Sequence, residues 1–141
     1  RIIPKNSSTS YISGWEALNI SDENRNTADW HPRTYLFSYD KDKAINLYNT
    51  TNVLGNSGIK KRIIDYPSQR EVYIANFPRA IADLVLTMKD YQLSSLHNCC
   101  NDFLNEDETE HLYQYLIKNN PRVDEFLKYE FTVRYFNDKK L

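Results

Sequence analysis

The sequence predicts an α+β domain in which a short N-terminal helix and a small antiparallel sheet precede a C-terminal helical half. Three observations carry this. β-favouring runs crowd residues 34–75, and the connections between them are too short for crossover helices, which selects antiparallel pairing. From Ile81 onward the apolar residues recur at helical spacing instead. Between the two patterns lies the stretch 71–89, EVYIANFPRAIADLVLTMK, where an extended pattern passes directly into a strong helical one.

Taken in order, residues 1–4 form a short apolar edge strand or arm, and residues 5–10 a polar loop. Tyr11, Ile12, Trp15 and Leu18 stand near helical spacing, predicting a short helix over residues 11–20 with Ser10 as its cap. Residues 21–32 are a polar loop. Strands are expected over residues 34–39 (TYLFSY), 44–48 (AINLY), 59–66 (IKKRIIDY) and 70–75, with Gly55 and Gly58 in the loop before the third. In the helix that follows, Ile81, Leu84, Val85 and Met88 mark one apolar face. Pro78 suits its first turn and Asn76 its cap.

Beyond it, Leu93, Leu96, Cys100, Phe103 and Leu104 define one further helical face. The acidic stretch 105–109 suits the start of another helix, carrying Leu112, Tyr113, Leu116 and Ile117, which the Asn119-Asn120-Pro121 break ends. Residues 123–136 fit helical spacing through Val123, Phe126, Leu127 and Phe131, yet alternate from Leu127 to Tyr135 as a strand would. Their interleaved charges favour helix, and residues 137–141 are expected to fray.

At 141 residues the chain makes one domain with a core of its own. Its 26% charged and 40% apolar residues exclude a disordered chain. A net charge of −1 gives no support to general nucleic-acid or membrane-surface binding. No apolar run reaches membrane-spanning length, and no signal-peptide pattern follows Arg1. The only cysteines, Cys99 and Cys100, are adjacent, which disfavours a bridge and points to a reducing, cytoplasmic setting. Glycosylation of the triplets at Asn6, Asn19 and Asn49 is then not expected. The 11 tyrosines suit core edges and protein–protein interfaces alike.

Candidate chemistry is sparse. Asp29, Trp30 and His31, with Arg33 beyond, place a histidine beside a carboxylate in a loop, where a general base can sit. No nucleophile or second acid stands at a spacing that demands a mechanism, so the favoured reading has Trp30 plugging the core while Asp29 and His31 bond the loop backbone. His97 with Cys99 and Cys100, and His111 further on, are candidate zinc ligands, and His97 and Cys100 would share a helix face; no Cys-x-x-Cys or His-x-x-x-His pair completes a tetrahedral set, and neither metal nor cofactor is expected. Cys100 is expected in a helix core and the histidines near the surface. The glycine loop lacks the Gly-Lys-Ser/Thr of a phosphate loop. Lys60, Lys61 and Arg62 read as a solvated strand, and residues 106–110 as a helix start able to meet a basic partner. Arg79 and Asp83, four apart, can pair on the polar side of their helix; were that end buried, Arg79 would satisfy loop carbonyls.

The stretch VYIANFPRAIADLV resembles the motif of AbiEi-like antitoxins, a strand ending in a short turn followed by an Arg-x-x-x-Asp helix start. The matching positions are Val72, Tyr73, Ile74, Pro78, Arg79, Ala80, Asp83 and Leu84, and GWEALNI upstream is similar to the short helix before the sheet in that family. Such antitoxins, part of toxin–antitoxin and abortive-infection systems, counter a nucleotidyltransferase-fold toxin. The resemblance implies a non-enzymatic protein whose partner is that toxin, with Pro78, Arg79 and Asp83 in structural roles. The family's N-terminal winged helix-turn-helix has no counterpart before Tyr11, so DNA-bound autoregulation is not implied. A reading of another class makes the chain a small enzyme or nuclease-like toxin acting through Asp29, His31 and Arg33.

Overall fold

The computed structural model describes residues 2–20, 44–50, 54–64, 69–88, 93, 95–117 and 123–139, and the fold is α+β. The strand expected over residues 34–39 lies outside the described residues, as does the Asp29-Trp30-His31 loop with Arg33. Strands β3 (Ile59–Ile64) and β4 (Arg70–Ala75) form an antiparallel ladder from Ile59 opposite Ala75 to Ile64 opposite Arg70. Val72 and Ile74 of β4 are buried. On the outer edge of β4, Ile12 runs parallel to it, its N–H donating to the Tyr73 carbonyl (3.0 Å) and its own carbonyl accepting from Ala75 (2.8 Å). The Tyr73 N–H is taken by the Asn6 side chain (2.7 Å), so this edge is closed by the N-terminal segment.

That arrangement corrects two expectations. Residues 10 and 11 are not helical: Ser10–Tyr11 is strand β1, paired antiparallel with β2, Tyr48–Asn49. The helix, α1, is shorter than expected (Gly14–Leu18) and follows Ser13 rather than Ser10. The reason is burial: Tyr11 and Ile12 are wholly enclosed, and extended backbone lets them reach β4 and the core together. Likewise the strand expected over residues 44–48 is reduced to β2 and a bridge from Ala44 to Ile2, and among the described residues its partner is the N-terminal segment. Gly14 makes this possible. Its φ is +60°, and a Cβ there would lie 2.9 Å from Cζ of Tyr48.

Helix α2 (Phe77–Thr87) begins as the sequence implies, with Asn76 capping the Arg79 N–H (2.9 Å) and Pro78 in the first turn. It is buried from Phe77 through Val85, packed by α1 and by α4 (Glu106–Leu116). A helix interior to the fold carries small or apolar residues on nearly every side, which accounts for Ala80 and Ala82 beside Ile81, Leu84 and Val85. Helix α4 starts on a capping box in which Asn105 and Glu108 exchange bonds (2.8 and 3.0 Å).

The helix expected through residues 93–104 is broken. Asn98 adopts φ 70°, separating helical turns near Leu93 and Leu96 from the short α3 (Cys99–Phe103). Residues 123–136 are helical, as the charges favoured, but in two pieces, α5 (Asp124–Glu130) and α6 (Thr132–Lys139). Phe131 makes the joint and packs edge-on against Tyr113 at 5.0 Å between ring centres. Helix α6 runs past the expected fraying point, and Asp138 in its last turns accepts from the Tyr113 hydroxyl. Among the described residues no helix is long and apolar enough to cross a membrane.

Candidate functional site

Two polar centres stand out, one on α2 and one in the C-terminal half. The first is built on Arg79 and Asp83, one turn apart on α2, and both are buried. The expectation of a pair on an exposed polar side is therefore corrected, because α1, β1 and the turn 54–58 cover that side. Arg79 Nε donates to Asp83 Oδ1 (3.1 Å), and Nη1 donates to the carbonyls of Ser57 (2.7 Å) and Leu54 (3.4 Å). Nη2 donates to the Tyr11 hydroxyl (2.8 Å), which itself donates to Asp83 Oδ2 (2.8 Å), joined there by Ser13 Oγ (2.7 Å).

Each charge thus meets its opposite and several neutral dipoles, the arrangement in which a buried ion pair is tolerated. Burial first, and the Asp83 charge second, push the Tyr11 phenol above its ordinary range, so it stays a donor. Gly58, at φ +78°, lets the turn close on this centre: a Cβ there would meet Arg79 Cβ at 2.8 Å and the Tyr115 hydroxyl at 2.8 Å. With four of the five guanidinium hydrogens engaged inside the fold, the centre ties helix, N-terminal segment and turn together.

The second centre lies in the C-terminal half. The Glu130 carboxylate, at the end of α5, accepts from the backbone N–H groups of Asn98 (2.8 Å) and Cys100 (2.7 Å), capping the start of α3. Cys99 and Cys100 are buried free thiols, and one sulfur from each lies with a Glu130 oxygen in a group whose members are all within 4.8 Å of one another. A hydrogen bond to Cys100, then burial, push the Cys99 thiol far above its ordinary range. Cys100 and Glu130 line a groove of about 530 Å³, together with Glu106, Glu110, Tyr129 and Arg134. On its rim Glu110 pairs with Arg134, and the hydrogen bond from Arg134 holds the Glu110 carboxyl down at about 2. Arg134 also stacks over the Tyr113 ring, 3.8 Å from its centre.

On α5 and α6 the apolar side chains of Tyr129, Val133 and Phe136 are exposed by 51%, 75% and 52%. They are the large side chains that the fold leaves in water at this end, with Ile117 nearby in sequence to the α4 terminus.

Of the residues singled out in the sequence, Arg79 and Asp83 come together at the first centre, and Pro78 is buried in the first turn of the same helix. His97 does not share a helix face with Cys100: it precedes the Asn98 break, and its ring stacks on Tyr129 at 3.6 Å. His111 is exposed. Lys61 pairs across the ladder with Glu71 (3.1 Å) at the surface. Tyr11, Ser13 and Glu130 were missed, since nothing in their spacing signals partners 72, 70 and 30 residues away. No known protein family, curated protein or solved structure matches this chain.

Proposed function

We propose that this chain is a non-enzymatic, antitoxin-type protein that acts by covering a basic surface of a protein partner with its C-terminal helices. The observation that carries the reading is the exposure of Tyr129, Val133 and Phe136 on α5 and α6, where Tyr129 also lines an acidic groove. Aromatic and aliphatic side chains left in water beside a charged rim are the usual anchors of an interface. Glu106, Asp107 and Glu110 stand exposed and Glu108 half-buried at the start of α4, so this surface is negative and suits a positive partner. A nucleotidyltransferase-like toxin acts on polyanionic substrates and is expected to present such a surface, which agrees with the antitoxin resemblance of residues 72–84. Arg79 and Asp83 support the same reading from the other side, because their polar groups are engaged in holding the fold.

The test is co-expression of this chain with the product of the adjacent reading frame. The expected outcome is that the product alone arrests growth, that the pair grows, and that the two co-purify. Val133→Glu with Phe136→Ala is expected to weaken capture at least about tenfold with an unchanged thermal midpoint, as loss of central anchors does. A neighbouring product that is harmless alone and does not co-purify defeats the proposal. So does capture that ignores the double substitution.

A further inference from the structure

We propose that Cys99, Cys100 and Glu130 form a three-ligand site for a thiophilic cation of the zinc class, open on its fourth side to the groove. The two sulfurs and the carboxylate oxygen already lie within 4.8 Å of one another. Ligands about 2.0–2.3 Å from a tetrahedral zinc are themselves roughly 3.5–3.8 Å apart, so little movement is needed to close on an ion. Thiolate donors select soft ions over magnesium or calcium, and two sulfurs with one oxygen suit zinc.

Three features of the fold favour this over a merely structural cluster. The site gathers two free thiols and a carboxylate from two separate segments. Glu130 is held in place by the Asn98 and Cys100 N–H groups, one on each carboxylate oxygen, and each oxygen keeps a further lone pair for a metal. Finally, Cys100 and Glu130 face the groove, which provides the path of entry and room for a water or an external ligand in the fourth position. The burial and thiol–thiol bond that keep Cys99 protonated describe the metal-free state. On binding, both sulfur–hydrogen bonds break, two sulfur–metal bonds form, and up to two protons pass to solvent. The sequence alone did not suggest this set, because the third ligand comes from a helix 30 residues further on.

The experiment is titration of the reduced full chain with Co²⁺, followed by Zn²⁺. One equivalent of Co²⁺ is expected to produce the near-ultraviolet sulfur-to-cobalt absorption of two thiolates. Zn²⁺ is expected to displace it, and proton release to accompany either metal. Cys99→Ser and Cys100→Ser are each expected to halve the band and weaken binding by about tenfold or more, whereas Glu130→Gln weakens binding and keeps the full two-thiolate intensity. Absence of the band in the unsubstituted protein overturns the proposal, and so does a band of full strength in the double serine variant. The unsubstituted protein decides the first point alone, whatever the variants do on folding. None of these readouts depends on a protein partner, so the site and the proposed function stand or fall separately.

Discussion

The Arg79–Asp83 centre is buried throughout, whereas the Cys99–Cys100–Glu130 centre is half-buried, and the two differ in composition and in closure. The first joins a cation to an anion and engages four of the cation's hydrogens within the fold. The second collects only acids, and one wall opens into a groove. Buried polar groups that complete one another fix a shape, while a set of like groups beside an opening leaves binding capacity unused. The difference assigns the β half and α2 to architecture, and it is on the C-terminal helices that the proposed function places its partner.

The largest effect that tests this contrast is expected from Arg79→Ala. Removing the guanidinium strands the Asp83 carboxylate and the Ser57 carbonyl without their ionic donor, at a cost of about 3–5 kcal/mol in chemical denaturation. Replacing both charges together, Arg79→Met with Asp83→Leu, is expected to cost less than Arg79→Ala. If the single substitution is tolerated within about 1 kcal/mol, the centre is not what holds the N-terminal segment in place.

Alkali should act next most strongly, and on the same half. Burial pushes the Tyr48 phenol up to about 12 from its ordinary 10, and raises Tyr11 in the same direction. Both keep their protons to higher pH when folded than when unfolded, so their stabilisation is complete below pH 10, and the Tyr48 share is lost as pH rises through 12. A loss on the order of 2 kcal/mol across that window is expected from Tyr48, measured by urea denaturation at fixed pH steps. Tyr48→Phe should flatten the dependence.

The smallest effect belongs to the C-terminal rim. The Glu110 carboxyl is held near 2 against an ordinary 4.5, so its pairing with Arg134 supports the fold above pH 4.5 and fades as pH falls through 2. Both partners are well exposed, and Arg134→Ala is expected to leave the denaturation midpoint within experimental error. A large loss would mean that the rim also serves architecture, and the contrast between the halves would narrow.

How much of this was legible follows the same division. The β4-to-α2 joint could be read because its signals are local: Asn76, Pro78 and the apolar spacing lie within one turn of the features they set. The Asn105–Glu108 box is local too, although only its acidic character was recognised. The two-piece C-terminal helix was half legible, since its alternation and its helical spacing share residues and the break at Phe131 depends on packing against Tyr113. Tyr11 as a strand residue was not legible. Its conformation is decided by Tyr48 and Asp83, whose positions in space no short window contains. The same holds for Glu130, whose charge reads as solvated surface until α3 is seen above it.

The long reach of the Tyr11–Asp83 bond also bears on how the molecule is made. During synthesis the N-terminal segment emerges first, and its strand partners, its turn and its carboxylate acceptor all follow later. Ile12 gains its backbone partners only with β4, and the Tyr11 hydroxyl its acceptor only with Asp83, so this half of the protein closes after α2 has been made.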